Sequence, residues 1–270
     1  MRTILLTLLA CASALKTAVP VGKMPPARGG SRFFLDTADT AEWEALLPLG
    51  VFHGVTTNPT LLERAGVACT VSACKELKDT ALRLGANEIM VQAWGESAED
   101  MCKIGLALSA LDSARVVVKV PITAEGTVAA AELVKRRVRV CLTACYAQEQ
   151  ALVAASCGAE YLAPYLGRMT DAGKDGLLEC ERMQQIVDGL GSTTRILVAS
   201  IRETTDLANL ASVGLDTFTF SPEIARALFE EPLTLAAAEA FDEAARNGGA
   251  YEPGSSASPP PSARIIPLGF

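Results

Sequence analysis

The sequence predicts a (β/α)8 barrel, class α/β, built as one domain with an extra C-terminal helix. Three observations predict it. Short β-rich runs alternate with helical stretches eight times. No second domain interrupts the alternation. The 270 residues match the usual size of one such barrel.

The first strand is read over Phe33–Asp36, with a helix over Thr40–Leu47. The second ends at Gly54–Thr57 and leads to helical sequence from Val71 to Leu84. Glu88–Ala93 is the third strand, followed by a helix over Ser97–Leu111. Arg115–Val120 and Val138–Ala144 form the fourth and fifth, with helices over Ala124–Lys135 and Gln148–Ser156. Tyr161–Tyr165 is the sixth, with a helix over Gly176–Gly189. Arg195–Ser200 and Leu215–Phe220 complete the set, followed by helices over Glu203–Ser212 and after Pro222. A last helix runs over Leu233–Arg246. A doubly wound open sheet is the alternative. Its nucleotide-binding versions lose weight because no GxGxxG or GxxxxGK[ST] follows a strand.

Composition narrows the partners. Residues 1–30 carry +4, leaving −11 on the remainder of a −7 chain. An acidic body disfavours nucleic acid and anionic membranes as partners, whereas local basic residues decide whether a phosphorylated substrate binds. Eight cysteines are present without a CxxC pair, and His53 is the only histidine, so no metal is expected. Buried free thiols are the expected state, which fits a reducing compartment.

Residues 1–30 read as a targeting leader. Arg2 precedes an apolar run from Ile4 to Ala10, then small residues, then a basic Pro-rich stretch without acids. That arrangement is similar to the bipartite leaders of complex plastids, although Leu15 follows Ala12-Ser13-Ala14 where such leaders place Phe. A plastid is the expected destination, with the secretory pathway or cytoplasm as alternatives. The barrel is placed at 31–247. The Gly/Ser/Pro-rich stretch at 248–270 is expected to be a flexible tail.

Chemistry in such barrels sits at the C-terminal ends of the strands. Strands buried on both faces should be apolar, so polar residues there are informative. Lys119 carries the most information, because it interrupts Val116-Val117-Val118 and Val120. A charged, unpaired lysine there costs several kcal/mol. Desolvation is expected to lower its pKa and leave a nucleophilic amine that attacks a ketone to form an imine; a lysine snorkelling out of the strand end or pairing with a carboxylate is the structural alternative. Asp36 is the acid/base candidate, with an N-cap for the next helix as its structural alternative. Asn58, before Pro59, has a turn residue as its alternative. Arg168 and Arg202, with Ser200, lie past strands six and seven, where they could clamp a phosphate, with solvated surface charges as the structural alternative for both arginines. His53 is expected to precede the second strand and face away from the mouth.

Several segments together resemble the transaldolase family, nearest its small-subunit branch with fructose-6-phosphate aldolase. They are Leu35-Asp36-Thr37-Ala38, Gly54-Val55-Thr56-Thr57-Asn58-Pro59-Thr60, Val118-Lys119-Val120-Pro121-Ile122-Thr123 with Glu125-Gly126, Ala163-Pro164-Tyr165-Leu166-Gly167-Arg168, and Ala199-Ser200-Ile201-Arg202. The resemblance spans Arg32 to Arg246. It implies a class I aldolase with no cofactor and no metal. Lys119 would form the Schiff base and Asp36 would shuttle protons. Asn58 and Thr57 would hold the dihydroxyacetone unit. Ser200, Arg168 and Arg202 would bind the phosphate of a sugar phosphate. Gln92 and Tyr165 resemble the aldolase branch, whereas transaldolases resemble one another in having Glu and Phe there. Tyr165, Gln92 and Thr143 would then orient the water that hydrolyses the imine. Val140-Cys141-Leu142-Thr143 departs from the Asn-x-Thr of many transaldolases. The branch also implies a homo-oligomeric ring, a decamer among its sizes, joined through the last helix.

Three activities are therefore weighed: an aldolase or transaldolase working through Lys119, another imine-forming barrel such as a deoxyribose-phosphate aldolase or a dehydratase, and a non-catalytic sugar-phosphate-binding barrel.

Overall fold

The structure, a computed structural model, describes residues 30–250. The predicted leader and most of the tail lie outside the described residues. Eight parallel strands close into one barrel in sequence order. They are β1 (Arg32–Asp36), β2 (Phe52–Thr56), β3 (Glu88–Gln92), β4 (Val116–Pro121), β5 (Val140–Cys145), β6 (Tyr161–Pro164), β7 (Arg195–Val198) and β8 (Thr217–Phe220). Closure comes from β1 pairing with β8, Leu35 opposite Phe220.

The crossover helices are α1 (Thr40–Leu46), α2 (Pro59–Arg64), α3 (Val71–Arg83), α4 (Ala98–Ser109), α5 (Ala124–Lys135), α6 (Gln150–Cys157), α7 (Leu166–Asp171), α8 (Gly176–Gly189), α9 (Thr204–Ser212) and α10 (Pro222–Ala227). Residues 30–228 make this unit. The other described residues carry α11 (Pro232–Asn247), none of which is buried. Leu233 is 79 % and Phe241 74 % exposed on it.

Side chains alternate across each strand. In β4, Val116, Val118 and Val120 point outward into the large core between sheet and helices, with Leu133, Leu108 and Ala129. Val117 points inward, into a second cluster with Phe34, Met90, Cys141, Tyr161, Ala163 and Leu197. That inner cluster plugs the barrel axis. Lys119 has the parity of Val117 and therefore projects into the barrel above the plug.

Two short helices, α2 and α7, were not expected from the sequence. Each is six residues long, under two turns, so no apolar periodicity can reveal it. Strand eight begins at Thr217, two residues later than read, and β2 begins at Phe52, so His53 lies within a strand rather than before it. Its side chain does face away from the mouth, Nε2 standing 3.6 Å from Glu88 Oε2 near the opposite rim.

Candidate active site

The mouth is a cavity of about 590 Å³ walled by Asp36, Asn58, Gln92, Thr143, Tyr165, Ser200, Arg168 and Arg202, among others. Its position follows from the inward parity of each strand, since Asp36, Gln92 and Thr143 continue the inward rows of Phe34, Met90 and Cys141.

Lys119 pairs in register with Gln92 on β3 and Cys141 on β5. It is 3 % exposed and makes no ion pair or hydrogen bond with another described residue. Its backbone sits two residues below the level of Thr143, a rise of about 6.6 Å that an extended lysine stem can cover. No buried side-chain nitrogen or oxygen lacks a partner among the described residues. The amine is thus not fully sealed into the plug, although Lys119 itself lies beneath the residues that line the cavity rather than among them. Beside it, burial pushes the Cys141 thiol up to about 12, so this neighbour stays protonated and supplies no counter-charge.

Asp36 accepts a hydrogen bond from Thr56 Oγ1 at 2.6 Å. Thr56 lies 2.5 Å from Thr219 Oγ1, and because its proton goes to Asp36, Thr219 is the donor to Thr56. This chain orients the carboxylate inward across β1, β2 and β8. The helix N-cap is Asp39, whose Oδ1 accepts from the Ala41 amide at 2.9 Å, so the capping alternative for Asp36 falls away.

Asn58 does cap a helix: its Oδ1 accepts from the Leu61 amide at 3.0 Å, and Pro59 occupies the first helical position. Its amide nitrogen remains available on the cavity wall. Thr57 is a correction. It is fully buried, its hydroxyl donates to the Met90 carbonyl at 3.1 Å, and it does not line the cavity. Thr56, one position earlier, has the inward parity.

Past β5 and β6, Thr143 Oγ1 and the Tyr165 hydroxyl are 3.3 Å apart. The Tyr146 ring meets the Tyr165 ring edge-on at 5.6 Å, and the Arg168 guanidinium stands 5.4 Å from the centre of the Tyr165 ring. Ser200 takes a left-handed backbone, φ 59°, uncommon for a residue with a side chain. Gly167 donates its amide to the Ser200 carbonyl at 2.9 Å. A Cβ at Gly167 would stand 2.4 Å from that oxygen and 2.4 Å from Arg202 Nε, so only glycine lets the Arg202 stem cross α7 here. Arg202 then reaches Asp171 at 2.8 Å, an exposed pair. Gly126 is constrained likewise, since a Cβ there would meet the Pro121 carbonyl at 1.8 Å. The Thr123 hydroxyl caps α5 on the Gly126 amide at 3.0 Å.

Sequence reasoning placed Thr56 at the end of strand two without giving it a role, and missed Thr219, Tyr146 and Arg64. The last two line the cavity, and only the parity of β2 could have pointed to Thr56.

A closed parallel barrel with a buried lysine under a mouth of carboxylate, amide, hydroxyl and guanidinium groups defines an enzyme of the aldolase and transaldolase class. The sequence matches the Transaldolase/Fructose-6-phosphate aldolase family over residues 33–253. It is 33 % identical over 210 residues to a probable transaldolase of Anaeromyxobacter dehalogenans, covering 78 % of this chain and 94 % of that one. A probable transaldolase of Caulobacter sp. is 35 % identical over the same shares, and one of Kosmotoga olearia 36 %. The chain belongs to the transaldolase/fructose-6-phosphate aldolase family.

Proposed function

We propose that the protein cleaves and forms the C3–C4 bond of ketose phosphates through a Schiff base on Lys119, with fructose 6-phosphate giving dihydroxyacetone and glyceraldehyde 3-phosphate. The observation that carries this reading is the nearly inaccessible, unpaired amine of Lys119 beneath a polar mouth. The amine attacks the C2 carbonyl and expels water, leaving an imine. The imine then accepts the electron pair of the breaking C3–C4 bond. Asp36, oriented by Thr56, takes the C4 hydroxyl proton. The amide of Asn58 steadies the dihydroxyacetone unit. Ser200, Arg168 and Arg202 hold the phosphate of the leaving aldehyde.

The fate of the bound three-carbon unit separates aldolase from transaldolase. Tyr165 and Thr143, 3.3 Å apart, with Gln92 across the cavity, favour water delivery to the imine and release of dihydroxyacetone. Transaldolase is the second reading, favoured by the names of the relatives. Purified protein is incubated with fructose 6-phosphate, with and without erythrose 4-phosphate, and the imine is reduced with borohydride. An adduct on Lys119 and free dihydroxyacetone without acceptor are expected. Turnover only with acceptor assigns the transferase. Turnover without any adduct removes the Schiff base.

We further propose a homo-oligomer joined through α11, where Leu233, Ala237 and Phe241 recur on one face. A monomer by light scattering refutes it. Delivery to a plastid is proposed from the leader alone and is tested by imaging a fluorescent fusion of residues 1–30.

A further inference from the structure

Tyr146 lines the mouth, and the reaction proposed above gives it no part. Strand alternation alone would not put it there. In β5, Cys141 and Thr143 face inward and Leu142 faces the outer core. Continued unchanged, that alternation would turn Cys145 inward and Tyr146 outward. Ala144 breaks the count. It takes a left-handed backbone, φ 58°, which a residue with a Cβ keeps only where its surroundings impose it. Thr143 pairs with Ala163 and Cys145 with Pro164, so β5 uses two residues where β6 advances by one. Past this bulge the faces are exchanged. Cys145 joins the outer core, its Sγ 3.9 Å from Met183 Sδ, and Tyr146 comes to the cavity wall.

The main chain of Tyr146 is held at both polar groups. Gln150 Oε1 accepts from its amide at 2.8 Å and from the Ala147 amide at 3.1 Å. Lys174 Nζ donates to its carbonyl at 2.6 Å, and Glu179 Oε2 accepts from the Gln148 amide at 2.8 Å. Among the described residues, every hydrogen bond of Tyr146 is made by its main chain, so the ring is what it brings to the mouth. That ring stands edge-on to the Tyr165 ring, centroids 5.6 Å apart, an attractive geometry for two aromatics. Tyr165 needs the support. Its hydroxyl lies 3.3 Å from Thr143 Oγ1, a long contact for two hydroxyls and a weak anchor by itself. The direction of the phenol is therefore set by what touches its ring, and the ring contacts are Tyr146 and the Arg168 guanidinium.

We infer that Tyr146 is a positioning residue for imine hydrolysis. Its ring fixes the Tyr165 phenol beside Thr143, and so sets how readily the bound three-carbon unit is released to water rather than passed to an aldehyde. This inference rests on the proposed aldol reaction and deepens its last step. That step balances without an oxidant or reductant. Water gives its oxygen to C2, the C2–N bond breaks, and both hydrogens of the water end on the Lys119 nitrogen. The products are dihydroxyacetone and the free amine.

The test gives fructose 6-phosphate to the full chain and to Tyr146→Leu and Tyr146→Phe. Three rates are followed: borohydride-trapped adduct on Lys119, dihydroxyacetone released without acceptor, and transfer to erythrose 4-phosphate. Tyr146→Leu keeps an apolar side chain and removes the ring. It should release dihydroxyacetone about tenfold more slowly while adduct formation and transfer stay within about threefold, so the ratio of release to transfer falls; tenfold is the scale of one aromatic pair. Tyr146→Phe restores the ring and should restore the ratio. An unchanged ratio in Tyr146→Leu, or an equal fall in Tyr146→Phe, overturns the positioning role. So does a loss of adduct formation as large as the loss of release, which marks general damage to the mouth. The unaltered chain separates the two failures. Adduct and acceptor-free release there, with an unchanged ratio in Tyr146→Leu, remove only the role of Tyr146. No adduct, or no release without acceptor, removes the aldolase reading and that role with it.

Discussion

The two ends of the barrel bury an acidic and a basic side chain equally well and treat them in opposite ways. Glu88 opens β3 at the floor and Lys119 lies in β4 near the mouth, each 3 % exposed. Glu88 is surrounded. Arg139 Nη2 donates to it at 2.6 Å, the Tyr161 hydroxyl at 2.8 Å, and His53 stands at 3.6 Å. Arg139 also grips Glu160 with two donors at 2.8 and 2.6 Å, and Arg32 donates to the Tyr161 hydroxyl. Lys119 has no such company. Burial alone would raise the Glu88 carboxyl, but hydrogen bonding with His53 and the charge and donors of Arg139 and Tyr161 hold it at about 2. The same carboxylate, after burial, pushes the Tyr161 phenol up. A buried charge with its partners satisfied belongs to stability, and a buried amine left without partners is held for reaction. The apolar plug of Phe34, Met90, Val117, Cys141 and Leu197 keeps the two regimes apart.

Breaking either end should therefore damage a different property. The largest effect is expected from Lys119→Met, which removes the nitrogen and keeps a linear apolar stem. kcat should fall by about 10⁴-fold or more, while the melting temperature holds or rises because no unpartnered polar group remains buried there. Retained turnover would end the Schiff-base reading. At the floor, Arg139→Ala strands Glu88 and should cost about 3 kcal/mol, or roughly 6–12 °C in Tm, with kcat within twofold. Calorimetry beside a steady-state assay checks both numbers. If activity fell as far as stability, the plug would not insulate the mouth from the floor.

The floor also sets an acid limit. The Glu88 carboxyl is depressed from the ordinary 4.5 to about 2 in the folded protein. A depressed acid contributes stability that is fully present above its unfolded value and is lost as pH falls through its folded value. Denaturant midpoints should therefore decline between about pH 4.5 and 2, and Glu88→Gln should flatten that decline while lowering the plateau at neutral pH. An unchanged pH slope in Glu88→Gln would place the acid-sensitive group elsewhere.

This contrast also sorts what could be read before the structure. The mouth was legible where a polar residue broke a strand that had to be apolar, as with Lys119 among valines, Asp36 after Phe34-Leu35, and Gln92 after Met90-Val91. The floor was not legible. Glu88, Arg139 and Glu160 sit at strand starts, where a charge is unremarkable, and their pairing spans 51 and 21 residues that only closure brings together. The short helices hid Arg64 and the hold of Asp171 on Arg202, because neither helix is long enough to show a face. The choice between Thr56 and Thr57 failed for a subtler reason. A strand's inward row is set by where it starts, and one residue of slip exchanges the two faces.

That exchange yields the smallest of the expected effects and the sharpest reading of register. Thr56→Val removes the donor to Asp36 and leaves Thr219 without its acceptor. Asp36 should lose its orientation, and kcat for fructose 6-phosphate should fall by about tenfold, near the loss of one hydrogen bond to a charged group. Thr57→Val removes only a bond to the Met90 carbonyl on the outer face. It should cost about 1 kcal/mol in stability and leave kcat within twofold. The two hydroxyls are one residue apart, so no difference in burial, composition or distance along the chain separates them. Only the direction of the side chain does. Equal losses from both substitutions would mean that the inward row of β2 is not the row that serves Asp36.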